Sequence, residues 1–100
     1  GAIRFIKSAI QGVEEKNIEK ANQFFGKTQA IVHELIASLD MRYEISKELL
    51  PIYDYMLHRL IEANIRKDIV LAEEVLGHLT EMREAWDQII KGSPVKAGWG

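Results

Sequence analysis

Apolar residues recur at alternating three- and four-residue steps along most of the chain, the spacing that lines one face of an α-helix. The first run places Ile3, Ile6, Ile10 and Val13 together, and Gly12 with the polar stretch Glu14-Glu15-Lys16-Asn17 closes it, which predicts a helix over residues 2–14. Asn17 is suited to cap a second helix, in which Ile18, Ala21, Phe25, Thr28, Val32, Leu35 and Leu39 keep the alternation without a slip and form a bundle seam. Phe24 and Ile31 sit on the flank of that seam. After the connection Asp40-Met41-Arg42-Tyr43, a third helix is predicted over 44–66; Pro51 removes one backbone donor inside it, so a kink or a late start is expected there. Lys67-Asp68 leaves room only for a tight antiparallel turn, with Asp68 as cap. In the fourth helix Ala72, Val75, Leu79, Met82, Trp86 and Ile89 repeat the pattern, with Leu71 and Leu76 at its edges. Gly77 costs that helix about 1 kcal/mol against alanine, which predicts close packing at Gly77.

The stretch Tyr53–Asp68 organises the rest. Met56, Leu60 and Ala63 form its main stripe, but at about 100° per residue Leu57 and Ile61 lie well round the cylinder, so apolar surface covers more than half the circumference. Such a helix needs neighbours on two sides. Short connections between amphipathic helices of about 20 residues give an all-α, antiparallel up-down bundle of four helices. The chain enters its first apolar run at Gly1-Ala2-Ile3 without a capping residue, so that helix is expected to be truncated. Residues 1–92 are expected to form the bundle and 93–100, after the stop signal Gly92-Ser93-Pro94, a flexible tail.

Composition narrows the function classes. The 100 residues suffice for one core, and 47 % hydrophobic with 28 % charged residues is ordinary for a globular domain. A formal net charge of -2 provides no basic field for nucleic acid. No apolar run approaches the ~20 residues of a membrane span, and the absence of cysteine fits a cytoplasmic, reducing setting.

Candidate chemistry is sparse. A carboxylate-bridged metal site in a bundle calls for Glu-x-x-His pairs, and none occurs; His33, His58 and His78 stand on three different helices and read as surface residues. The serines lack a nucleophile-elbow setting, no glycine-rich phosphate loop is present, and Arg59, Glu62 and Arg66 have the spacing of helix-surface ion pairs. No catalytic residue, metal ligand or cofactor site is assigned. What remains is apolar surplus: Phe24, Ile31, Leu57, Ile61, Leu71 and Leu76 exceed what the strict seams require. Either they close the bundle, or they line grooves that take the amphipathic helices of a partner.

Several pieces then resemble one family. Tyr53-Asp54-Tyr55-Met56, followed by Arg59-Leu60, Glu62-Ala63-Asn64 and Asp68, is similar to the signature of the flagellin-specific export chaperones, FliS. Gly1-Ala2-Ile3-Arg4-Phe5, Ser38-Leu39-Asp40 and Arg83-Glu84-Ala85-Trp86 resemble its first-helix, second-helix and last-helix motifs, in order. The resemblance implies a cytosolic helical bundle without catalysis or cofactor. Its partner would be the C-terminal segment of flagellin, which it would keep from premature polymerisation and help deliver to the flagellar type III export apparatus. Contacts with the export gate and other flagellar regulators are compatible with it. The family's usual N-terminal cap is not seen before Gly1, and His58 stands where arginine is common. A client-free scaffold that pairs with itself through the same apolar flanks is the alternative.

Overall fold

The computed structural model describes residues 1–90, apart from the side chains of Trp86, Ile89 and Ile90, and builds them into four helices: α1 (Ala2–Glu14), α2 (Ile18–Ala37), α3 (Glu44–Arg66) and α4 (Ile69–Ile90). The stop at Gly92-Ser93-Pro94 and the tail expected over 93–100 lie outside the described residues. The helix ends follow from local chemistry. Asn17 accepts a hydrogen bond from the Lys20 N–H through its side chain (3.0 Å) and so caps α2; the Asp68 carboxylate takes the Val70 N–H at 2.9 Å and the Leu71 N–H at 3.3 Å and caps α4. α1 and α3 both end on a lysine in the left-handed region, Lys16 at φ 59° and Lys67 at φ 53°. After α1 the Lys16 N–H bonds to the Val13 carbonyl and the Asn17 N–H to the Gly12 carbonyl, a Schellman closure that satisfies the last carbonyls.

The helices form an antiparallel ring. α2 packs against α1 and α3, α4 against α3 and α1, and among the described residues neither diagonal pair, α1 with α3 or α2 with α4, brings Cα atoms within 8 Å. The interior holds Ile6, Ala9, Phe25, Val32, Met56, Leu60, Ala63, Ala72 and Val75, all at 0 % exposure, as the three-four pattern requires. Thr28 is buried among them, its hydroxyl donating to the Phe24 carbonyl at 2.8 Å, so the polar seam position is satisfied.

Some expectations hold and others need correction. α1 ends at Glu14 as the spacing predicts, and Gly12 has a further role: it is buried, and a Cβ there would sit 2.7 Å from the Ala21 backbone nitrogen, so this glycine lets α1 and α2 cross closely. Gly77 marks no such contact, since a Cβ at that position would meet nothing within 4 Å. Ile18, assigned to the α2 seam, is 53 % exposed: it is the first residue of α2, at the end of the bundle. At Pro51, α3 runs unbroken from Glu44, so the late start does not occur.

Candidate functional site

The six surplus residues occupy different situations. Leu57 is 8 % exposed and belongs to the core. Phe24, Leu71 and Leu76 are half-buried and packed against the core; the Phe24 ring lies 6.0 Å from that of Phe5, with the Lys27 ammonium 5.2 Å above it, which ties α1 to α2. Ile31 is half-buried on the outer flank of α2. Ile61 alone of the six is exposed, at 38 %.

Other exposed apolar side chains were not singled out by the pattern, and the antiparallel order sorts them into two regions. At the end where α2 begins and α3 turns into α4 stand Ile18, Ile65 (77 %) and Val70 (73 %), with Ile61 one turn above Ile65. At the opposite end and along the edge of α3 that faces α4 stand Met41, Tyr43, Ile45, Ile52 and Tyr55. Nine residues separate Ile52 from Ile61, so at about 100° per residue the two regions use opposite edges of α3.

On the α4 side of α3 a polar network fixes the wall. The Tyr55 hydroxyl donates to Glu74 on α4, accepts from the Arg59 guanidinium at 3.0 Å, and its ring stands edge-on to His78. Arg59 also reaches Glu62 at 3.2 Å and Glu74 at 3.4 Å, and Glu62 pairs with Arg66. The Tyr55 hydrogen bond, more than the Arg59 charge, holds the Glu74 carboxyl below the ordinary glutamate range; the same hydroxyl, with Glu74 behind it, raises Arg59. Beside this network, α3 and α4 enclose an open groove of about 540 Å³ over Ile52, Met56, Met82 and Ala85, with Glu81 on its rim. A second opening, of about 810 Å³, lies beside the start of α1 between Ile3, Leu35, Tyr53, Leu79 and Met82. Burial there pushes the Tyr53 phenol up.

His33 and His58 are exposed and His78 half-exposed, on three helices. Among the described residues no three His, Cys, Asp or Glu side chains gather as a metal site, and no helix is long and apolar enough to cross a membrane.

Fold and surface together define a small helical bundle that leaves apolar side chains on two edges of its third helix. Residues 1–93 match the family model described as "Flagellar protein FliS". The chain is 38 % identical over 91 residues to the flagellar secretion chaperone FliS of Bacillus subtilis (strain 168), covering 91 % of this chain and 68 % of that protein. It is 32 % identical over 91 residues to the flagellar secretion chaperone FliSB of Pseudomonas aeruginosa, covering 89 % and 72 %. With the FliS of Salmonella typhimurium it shares 50 % identity over 46 residues, 46 % of this chain and 34 % of that one. The chain belongs to the FliS family of flagellar proteins, whose curated relatives are named secretion chaperones.

Proposed function

We propose that this protein is a cytoplasmic flagellar secretion chaperone, that its client is the C-terminal segment of flagellin, and that holding this segment prevents premature polymerisation and aids delivery to the flagellar type III export apparatus. The observation that carries the reading is the apolar surface left at the α3–α4 turn, Ile61, Ile65 and Val70 with Ile18, on a chain of this family. A client tail that is amphipathic and unfolded by itself gains a partner for its apolar stripe there, with the buried Leu57 one turn before Ile61. Folding on binding costs the tail ordering free energy, so the complex forms with a negative heat-capacity change and stays reversible, which export requires. Binding, not chemistry, is the activity.

The test is calorimetric titration of the chain with a flagellin C-terminal peptide. Burying one isoleucine is worth about 1.5–3 kcal/mol. Ile61→Glu and Ile65→Glu should therefore each weaken binding by about tenfold or more while the melting temperature hardly moves. Unchanged affinity in both variants removes this surface from the client site; no binding by the unaltered chain, with dimers in sedimentation, favours the self-pairing scaffold.

A further inference from the structure

The α3–α4 groove lies on the far edge of α3 from Ile61, and its features differ from those of the client surface. Its floor is apolar, Met56 at 0 % exposure with half-buried Met82, and its walls carry the exposed Ala85 with Ile52 and Tyr55 at 45 % and 43 % exposure. Its rim is acidic. Glu81 has a side chain 80 % exposed and makes no ion pair with lysine or arginine among the described residues; the imidazole of His78, which also lines the groove, stands 3.9 Å away. Glu48, one heptad before Tyr55 and so on the same edge of α3, is exposed and makes no ion pair among the described residues. The guanidinium beside the groove, Arg59, is already committed to Glu62, Glu74 and Tyr55. Both walls are helices with satisfied backbones, so a third helix, not a strand, fits between them.

From this pairing of an apolar floor with carboxylates that have no lysine or arginine partner, we propose that the α3–α4 groove is a second docking surface, which takes an amphipathic helix carrying lysine or arginine beside its apolar stripe. The lining runs from Pro51 to Met56 on α3 and from His78 to Ala85 on α4, about 10 Å of helix, enough to seat roughly two turns of a partner. The Tyr55–Glu74–Arg59 network holds the two walls in register before anything binds, so little ordering is needed on this side. Because the groove and the Ile61–Ile65 surface lie on opposite edges of α3, both can be filled at once.

The experiment uses the full chain and two designed helical peptides of about 18 residues with the same leucine stripe, one flanked by lysines and its twin by glutamates at the same positions. Methyl NMR and fluorescence anisotropy should find the lysine peptide bound about fivefold or more tightly than its twin, shifting Ile52, Met56 and Met82. The double charge reversal E48K/E81K, both sites exposed, should invert that preference at an unchanged melting temperature. Equal binding of the twins, shifts centred on Ile61 and Ile65, or no inversion in the double variant each overturns the proposal. So does expulsion of the lysine peptide by the flagellin C-terminal peptide, which would make the groove part of the client site. Failure of the flagellin peptide to bind the unaltered chain counts against the chaperone reading alone.

Discussion

Lys16 and Lys67 hold a backbone conformation that costs a side-chain-bearing residue about 1–2 kcal/mol, yet they are not equivalent. The Lys67 ammonium binds Asn22 on α2 at 2.7 Å and Asn64 on α3, so it clamps two helices while ending one. Lys16 makes no side-chain hydrogen bond or ion pair among the described residues. Lys16→Gly should therefore stabilise the chain by about 1 kcal/mol, roughly 4–8 °C in melting temperature, whereas Lys67→Gly should gain little because it loses the clamp. Differential scanning calorimetry of both variants decides this. Glu74 gives a pH prediction. Its native pKa is lowered, so its contribution is complete above the ordinary glutamate value of about 4.3 and disappears as pH falls through the lower folded value. Melting temperatures compared between about pH 7 and pH 3 should fall less in Glu74→Gln than in the unaltered chain; an equal fall would mean that the Tyr55–Glu74 bond does not persist in solution.

At the level of helices, the glycines separate local propensity from packing. A methyl group on Gly77 meets open space, so Gly77→Ala should stabilise α4 by about 1 kcal/mol through propensity alone. The same change at Gly12 drives a Cβ into the backbone of α2 and should destabilise by about 1–3 kcal/mol, because backbone atoms cannot step aside as a flexible side chain can. Urea denaturation of the two alanine variants should show midpoints moving in opposite directions. Both glycines sit within apolar helical patterns, and the pattern placed the close approach at Gly77 where the structure has it at Gly12; the distinction is made by the neighbouring helix. The caps are the contrary case. Asn17 and Asp68 were readable because a capping side chain reaches a backbone N–H only two or three residues away.

Across the whole molecule, the consequence of a ring of four helices is that α3 has two outer edges, each with its own apolar exposure. If the flagellin tail uses the Ile61–Ile65 edge and a basic amphipathic helix uses the α3–α4 groove, a ternary complex should form. Sedimentation of the chain with flagellin peptide and lysine peptide together should give one species containing all three. That a bundle of this kind would form was legible in the chain: four apolar stripes, short connections and two capping residues admit few other arrangements. The membership in the FliS family was also visible in the run from Tyr53 to Asp68, since those residues lie close together in the chain. The extent of the uncovered surface was less so. Leu57, Ile61, Phe24 and Leu71 look alike as flank positions, yet one is in the core, one is exposed and two are half-buried.

What the amino-acid order determined by itself was everything set within a few residues: where helices start, which stripe of each turns inward, and that the stripes together make a four-helix ring. Only the tertiary structure decided how far each neighbour wraps round α3, which glycine lies at a crossing, and that Tyr55 meets Glu74 nineteen positions away. The physical reason is one of range. Helical periodicity fixes the angle at which a side chain leaves its own axis, while burial depends on where the next axis ends, and that is settled by the packing of all four helices at once.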